Sequence, residues 1–178
     1  MTDDDARLNL TLTALYGEKP RQLAELIAFC QELVSAHVPN GFEPYEPAQI
    51  HATIIGFEGR WIDGHLYNDN LLQRGESRRM DIANALRFLQ ATRMLPFRAR
   101  IGGYHADDDF GFKSFGRHPY ERSFEIQTTN AVVAMGWPVA GSSFTNTLDD
   151  LRRELLQFNV LHKYHTTDQR SITICSSF

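Results

Sequence analysis

The first third of the chain has the pattern of a strand, an amphipathic helix and a second strand. Residues 9–15 (NLTLTAL) alternate and are rich in Leu and Thr, and residues 50–57 (IHATIIGF) predict another strand. A helix that begins after Pro20 carries apolar residues at three- and four-residue spacing: Leu23, Leu26, Ile27, Cys30, Leu33 and Val34. Because such a face has to be buried against another layer, the unit predicts a helix packed on a sheet.

The rest of the chain continues this alternation of helices and strands. Helices are predicted from about Ser77 and after an N-cap at Thr147, and strands at residues 97–104, 123–133 and 170–178. The order is therefore β-α-β followed by α-β-β-α-β. It predicts an α+β protein with helices on antiparallel or mixed sheets, in two halves with a cleft between them. The whole chain, residues 1–178, is expected to be one domain.

Composition and charge exclude several functional classes. Lys and Arg number 18 against 22 Asp and Glu, and a net charge of −4 excludes a protein that holds long duplex DNA by charge alone. A local pocket for one or two phosphates remains compatible with this charge. No apolar run approaches the roughly 20 residues of a membrane span, and the N-terminus is acidic where a signal peptide is basic. We therefore expect a cytoplasmic protein without a membrane partner, whose two cysteines are reduced.

The sequence around His51 gives the sharpest chemical signal. In a strand, residues i and i+2 point to the same face, so His51 and Thr53 are predicted to project together. The imidazole can donate to a phosphate oxygen or carry a proton near neutral pH, and the hydroxyl can donate to a second oxygen. An isolated His-x-Thr is more often structural. Here it follows a proline-rich approach at Pro44 and Pro47, and its apolar strand is predicted to close at Gly56.

With these residues in this order, the chain resembles the two-histidine (2H) phosphoesterases, which include 2′-5′ RNA ligase-like proteins and cyclic phosphodiesterases. The resemblance covers the order of elements over nearly all of the chain, and motif identity around His51 and Thr53. It implies two pseudo-symmetric β-α-β lobes, each contributing one His-x-Thr or His-x-Ser strand to a central cleft. It also implies in-line cleavage of a phosphodiester without a metal or another cofactor. The substrate class it implies is a small nucleotide or an RNA end with a 2′,3′-cyclic phosphate or a 2′-5′ linkage.

The second motif implied by the resemblance is incomplete in this sequence. It would lie on the strand after the last helix, where Thr173 matches the hydroxyl position but Ser171 stands in place of the histidine. Serine cannot carry a proton without a base beside it. His162 and His165 lie just upstream. If this segment is a loop, His165 can serve the position that Ser171 leaves; if it is a strand, His165 and Thr167 share a face as His51 and Thr53 do. The two histidines also have a structural interpretation, as a cap at the C-terminal end of the last helix.

Residues 116–124 (GRHPYERSF) are a further candidate segment. Arg122 is able to bind phosphate oxygens and Tyr120 to stack on a base, although a solvated loop before a strand has the same composition. His105 and the acidic residues that follow it match no zinc or calcium pattern, so no metal site is predicted. The predicted catalytic residues are His51, Thr53, His165 and Thr173. The predicted substrate contacts are Ser171, Tyr120, Arg122 and His162.

The sequence thus predicts a metal-independent phosphodiesterase that acts on a small nucleotide or an RNA end by histidine-based acid–base catalysis. The alternative is a sensor or sequestering protein that binds a nucleotide or RNA in the same cleft without cleaving it. A third interpretation is an interaction module in which the cleft is vestigial. Cleavage is favoured if His51 and His165 reach one point in the cleft, and binding is favoured if His165 faces solvent while Ser171 faces His51. A cleft filled by aromatic side chains favours the third interpretation.

Overall fold

The computed structural model describes residues 7–127 and 130–165, and the predicted strand at 170–178, with Ser171 and Thr173, lies outside them. The strands in this part are β1 (Arg7–Ala14), β2 (Ala52–Ile62), β3 (His65–Asn68), β4 (Arg98–Ile101), β5 (Phe124–Ile126), β6 (Val132–Ala134), β7 (Gly136–Ala140) and β8 (Ser143–Phe144). The helices are α1 (Arg21–His37), α2 (Asp69–Leu72), α3 (Ile82–Ala91) and α4 (Thr147–Glu154). Among the described residues, no helix has both the length and the apolar character needed to cross a bilayer.

The strands form two three-stranded sheets and one hairpin. The first sheet has the order β1-β2-β3, the second has the order β4-β7-β8, and β5 pairs with β6. Every one of these pairings is antiparallel. The predicted α+β class with antiparallel sheets is therefore confirmed.

A β-bulge interrupts β2 directly after the His-x-Thr segment. Leu12 lies opposite Ile55 and Thr13 lies opposite Thr53, so Ile54 is an extra residue on β2 without a partner on β1. Because the bulge breaks the alternation, Ile54 and Ile55 are both buried although they are neighbours in sequence. Strict alternation through residues 50–57, as the sequence predicted, does not hold here.

Two hydrophobic clusters stabilise the described part of the chain. The larger cluster packs the first sheet against α3 and α4, and its buried members are Ile54, Ile55, Phe57, Met80, Ala85, Leu89, Leu148, Leu151, Leu155 and Val160. The smaller cluster surrounds Trp137 on β7, which packs edge-on against Tyr104 at 4.8 Å between ring centroids. In α4 and the turn after it, Leu148, Leu151 and Leu155 are buried. The N-cap of α4 is Asn146, whereas the sequence predicted Thr147.

The helix α1 forms as predicted, but its apolar stripe is not buried in a core. No residue of α1 is buried, and Phe29 is 61% and Leu33 47% exposed. A hollow of about 500 Å³ lies beside the N-terminal part of the helix, lined by Leu23 and Leu26 together with side chains of β1, β2 and β4. Five of the six predicted stripe residues are half-buried and Leu33 is exposed, so the periodicity correctly identified the more protected face of the helix. The prediction that this face packs in a core is wrong, because none of its residues is buried.

Several predicted boundaries also move. β2 continues through Gly56, where the sequence predicted that the strand closes, and through Gly59. Both glycines lie against neighbouring side chains. A Cβ at Gly59 would lie 3.0 Å from a methyl group of Leu66 on β3. The helix predicted from Ser77 begins at Ile82, after an Asp81 side chain that accepts a hydrogen bond from the Asn84 backbone N–H at 3.0 Å.

Candidate functional site

His51 is exposed and immediately precedes β2. Its Nδ1 lies 2.8 Å from the backbone carbonyl oxygen of Gln49. Because a carbonyl only accepts, Nδ1 carries a proton, and in the neutral form of the ring the lone pair therefore lies on Nε2. The ring of Tyr16 packs against the imidazole, with 5.9 Å between centroids. The imidazole is therefore held by the hydrogen bond of its Nδ1 and by the contact with the Tyr16 ring. In the neutral ring of this tautomer, Nε2 can accept a proton.

Thr53 lies two residues further on, half-buried on β2 opposite Thr13. The strand begins at Ala52, so the alternation that would place His51 and Thr53 on one face starts only after His51. That the two side chains meet one ligand stays a prediction. Thr53 is nevertheless paired with β1, next to the bulge at Ile54.

Arg152 connects this segment to α4. Its side chain is buried, and its Nε donates to the carbonyl oxygen of Ile54 at 2.8 Å, with Nη2 3.4 Å from the carbonyl oxygen of Thr53. Ile54 is the residue of the bulge that has no partner on β1, and the guanidinium donates to its carbonyl oxygen. Arg152 was not among the predicted site residues. Its spacing from Leu148 indicates only that it lies on the buried face of the helix, and does not indicate its contact with β2.

His165 is paired with a carboxylate. Its Nε2 lies 2.8 Å from Oδ1 of Asp149, and both side chains are buried. The distance is that of an ion pair, while the geometry is not that of an aligned hydrogen bond. Asp149 Oδ2 also accepts from Nε of Arg153 at 2.6 Å. Burial raises the pKa of the Asp149 carboxyl, but His165 and Arg153 together hold it below its ordinary value, so the carboxylate is ionised at neutral pH.

His162 is buried beside this pair. Its ring centroid lies 5.5 Å from that of His165, and its Nδ1 accepts a hydrogen bond from the Tyr164 backbone N–H at 3.3 Å. Burial, followed by the positive charge of Arg152, lowers the pKa of His162 to about 2. The ring is therefore neutral at physiological pH. His162 was predicted to contact the substrate, but in the structure its ring is buried in the protein.

The structural alternative for the two histidines, a helix C-cap, is wrong. The helix α4 ends at Glu154, and a 3₁₀ turn continues from Leu155 to Phe158. His162 and His165 follow in a separate turn, closed by a hydrogen bond from the His165 N–H to the His162 carbonyl oxygen at 2.9 Å. A second hydrogen bond holds this turn: Nη2 of Arg74 donates to the carbonyl oxygen of His165 at 2.6 Å.

The depressed pKa of His162 predicts a pH dependence of stability. The unfolded chain takes up a proton below the ordinary value of 6.5, whereas the folded protein keeps this ring neutral. The contribution of His162 to stability is therefore complete above pH 6.5 and is lost progressively as the pH falls toward 2. Between pH 7.5 and 5.5 we expect a loss of about 1 kcal/mol. Urea unfolding at both pH values should show this loss in the wild type and not in His162→Gln. An equal loss of unfolding free energy in the two proteins would contradict the assignment.

Tyr120 and Arg122 lie in and around a 3₁₀ turn before β5, and their exposure differs. Tyr120 is exposed, as a base-stacking residue would be. Arg122 is buried, with Nε 2.7 Å and Nη2 3.0 Å from the two carboxylate oxygens of Glu125, and Nη1 2.7 Å from Oγ of Ser114. A phosphate would have to displace the Glu125 carboxylate to meet this guanidinium.

The predicted site residues therefore fall into three groups in the structure. His51 and Thr53 lie at the start of β2, His162 and His165 lie with Asp149 beside α4, and Tyr120 and Arg122 lie next to the β5–β6 hairpin. Arg152 joins the first two groups, because it bonds the backbone of β2 and its charge acts on His162. Within residues 7–127 and 130–165, no group of three or more His, Cys, Asp or Glu side chains is placed to hold a metal ion.

No family model, curated protein or solved structure was found that matches this chain. The resemblance to the 2H phosphoesterases therefore depends on the residues and the order of elements alone.

Proposed function

We propose that this protein is a metal-independent phosphodiesterase of the cytoplasm that acts on a small nucleotide or an RNA end. The observation that carries the proposal is the state of His51. Its Nδ1 donates to the Gln49 carbonyl, so the neutral form of the exposed ring has its lone pair on Nε2, where a general base requires it. In this proposal the β1-β2-β3 and β4-β7-β8 sheets are the two lobes of a 2H-like fold.

The proposed reaction begins with His51. Its Nε2 takes the proton from a water, or from a neighbouring ribose hydroxyl, while that oxygen attacks phosphorus in line. The Thr53 hydroxyl donates to a nonbridging oxygen as negative charge develops there. The bond from phosphorus to the leaving oxygen then breaks, and a second acid supplies a proton to that oxygen.

His165 is the proposed second acid, and Asp149 is its positioning residue. A carboxylate beside an imidazole fixes the orientation of the ring and stabilises its protonated form, which is the arrangement of base and orienting group in many hydrolases. In the structure Nε2 lies 2.8 Å from Oδ1, within reach of such a contact. Arg152 bonds the backbone at Thr53 and so ties the first group to the helix that carries Asp149.

Nucleotide binding without cleavage is a second candidate function, and the burial of His165 favours it. An acid that protonates a leaving oxygen has to touch that oxygen, yet both ring nitrogens of His165 are buried. In a binding protein, His51 and Thr53 would act as ligand donors, while the Asp149–His165 pair would only support the fold. Both candidate functions involve the same class of ligand, but only the phosphodiesterase cleaves it.

A panel of phosphodiesters separates the candidates. It should contain 2′,3′-cyclic mononucleotides, 2′-5′ and 3′-5′ dinucleotides, and cyclic di- and trinucleotides, each followed by product analysis and by thermal unfolding. A phosphodiesterase converts at least one member, and the conversion is lost in His51→Ala. A binding protein converts none but is stabilised by one of them, because a ligand that binds only the folded state raises its apparent stability. Neither cleavage nor stabilisation by any member would contradict both candidates.

Removal of divalent ions is expected to leave the cleavage rate unchanged. In the proposed reaction, imidazole and hydroxyl groups move the protons and offset the charge on phosphate, so no metal-bound water is required. The rate should be measured before EDTA treatment, after it, and after separate addition of Mg²⁺, Mn²⁺ and Zn²⁺. A loss of rate that one of these ions restores would overturn the proposed mechanism.

A further inference from the structure

A tight turn at residues 114–117 presents an aromatic side chain in an unfavourable backbone conformation. Ser114 and Arg117 exchange two backbone hydrogen bonds, of 2.9 and 3.1 Å, around the central pair Phe115 and Gly116. Both central residues have positive φ, 49° and 75°. This is the geometry of a type I′ turn, which favours Asn or Gly at its first central position. A bulky Phe there is a costly choice of residue.

Burial of the ring does not account for the choice of Phe115. The side chain is 47% exposed, so much of its apolar surface faces water. Its ring packs edge-on against Tyr164 at 5.8 Å between centroids, and Tyr164 is itself 44% exposed. The guanidinium of Arg122 lies 4.7 Å from the centre of the Phe115 ring. The turn therefore holds two partly exposed aromatic rings together at the surface.

This aromatic pair adjoins a cation and the proposed second acid. Nζ of Lys163 lies 4.8 Å from the centre of the Tyr164 ring, and Lys163 is exposed. On its other side Tyr164 is adjacent in sequence to His165, and its ring centroid is 5.3 Å from that of His162. Exposed aromatic rings with a cation beside them suit a nucleobase with its phosphate, because bases stack on aromatic faces and the cation meets the backbone.

We propose that Phe115 and Tyr164 form a stacking platform for a nucleobase of a single-stranded nucleic acid end, with Lys163 facing its backbone. The inference deepens the proposed function and depends on it for the place of the platform beside the reacting phosphate. It narrows the substrate class from any small phosphodiester to an oligonucleotide with at least one base beyond the scissile linkage. Because stacking surfaces occur on every base, the platform tolerates different sequences.

Binding of a fluorescein-labelled single-stranded oligonucleotide with a non-cleavable phosphorothioate backbone tests the platform without turnover. Fluorescence anisotropy should be measured for the wild type, Phe115→Asn and Tyr164→Leu, with RNA and DNA arms. We expect each variant to bind at least about tenfold more weakly than the wild type, as the loss of one stacked base implies. The matched control is Tyr45→Leu, which removes another exposed aromatic ring, and should bind as the wild type does.

Phe115→Asn adds a readout that a purely structural role would not produce. Asn tolerates positive φ, so this variant should unfold at a temperature no lower than that of the wild type while it loses binding. Variants that bind as tightly as the wild type would overturn the platform and leave the phosphodiesterase proposal standing. A wild type that binds no oligonucleotide would also overturn it. Cleavage of 2′,3′-cyclic mononucleotides would then decide separately whether the proposed function survives.

Discussion

Replacement of His51 by alanine is expected to lower cleavage of the preferred phosphodiester by about 100- to 10,000-fold, the usual contribution of a positioned general base. The effect follows from the exposed ring, whose Nδ1 is bonded to the Gln49 carbonyl and whose Nε2 is left to accept a proton. Because the side chain is exposed and lies outside the hydrophobic clusters, the melting temperature should stay close to that of the wild type. Initial rates and thermal unfolding of the purified variant measure both quantities.

His37 supplies the matched control for this substitution. It is also exposed, and its Nδ1 also lies 2.8 Å from a backbone carbonyl oxygen, that of Leu33. His37→Ala should retain the wild-type rate, because His37 lies at the end of α1 and outside the site. An equal loss of rate in both variants, or no loss in His51→Ala, would show that the chemistry is not located at His51.

Asp149→Ala is expected to lower the free energy of unfolding by about 3 kcal/mol, the range for breaking a buried ion pair. The substitution leaves the Arg153 guanidinium and the buried His165 ring without the carboxylate that both contact. Asp150→Ala is the control, since Asp150 lies in the same first turn of α4 but is exposed. Urea unfolding should show a change within about 0.5 kcal/mol for that variant.

A double-mutant cycle then separates the Asp149–His165 contact from general destabilisation. Asp149→Ala and His165→Ala should be less than additive in the free energy of unfolding, with a coupling of about 1 kcal/mol or more. Additive effects would show that the two side chains do not stabilise each other. His165 would then lack the positioning residue that the acid role requires.

The sequence predicted the elements of this fold better than their packing. Hydrophobic periodicity identified α1, α3 and α4, because spacing along a helix is a local property. It could not show that the stripe of α1 borders a hollow, since what covers a face is decided by distant segments. The continuation of β2 through Gly56 and Gly59 could not be predicted for the same reason. A glycine that marks a turn and one that accommodates a neighbouring side chain look alike in sequence.

The site shows the same division between local and tertiary signals. His51 could be singled out from its own neighbours, and its hydrogen bond to Gln49 spans only two residues. The contact between Arg152 and the Ile54 carbonyl spans 98 residues, so no local pattern announces it. The partner of His165 was likewise missed, because Asp149 belongs to the first turn of a helix, where an acidic residue already has a local explanation.

The most direct test of the account observes the His51 ring while a phosphodiester binds. Imidazole ¹⁵N and ¹H signals, assigned by comparison with His51→Ala, should be followed as a non-cleavable phosphorothioate dinucleotide is added. We predict that the Nε2 signal of His51 shifts as this nitrogen accepts a hydrogen bond in the complex, and that the shift saturates at the concentration that saturates thermal stabilisation. An Nε2 signal that stays unchanged while the dinucleotide binds and stabilises the protein would place the phosphate elsewhere and contradict the account.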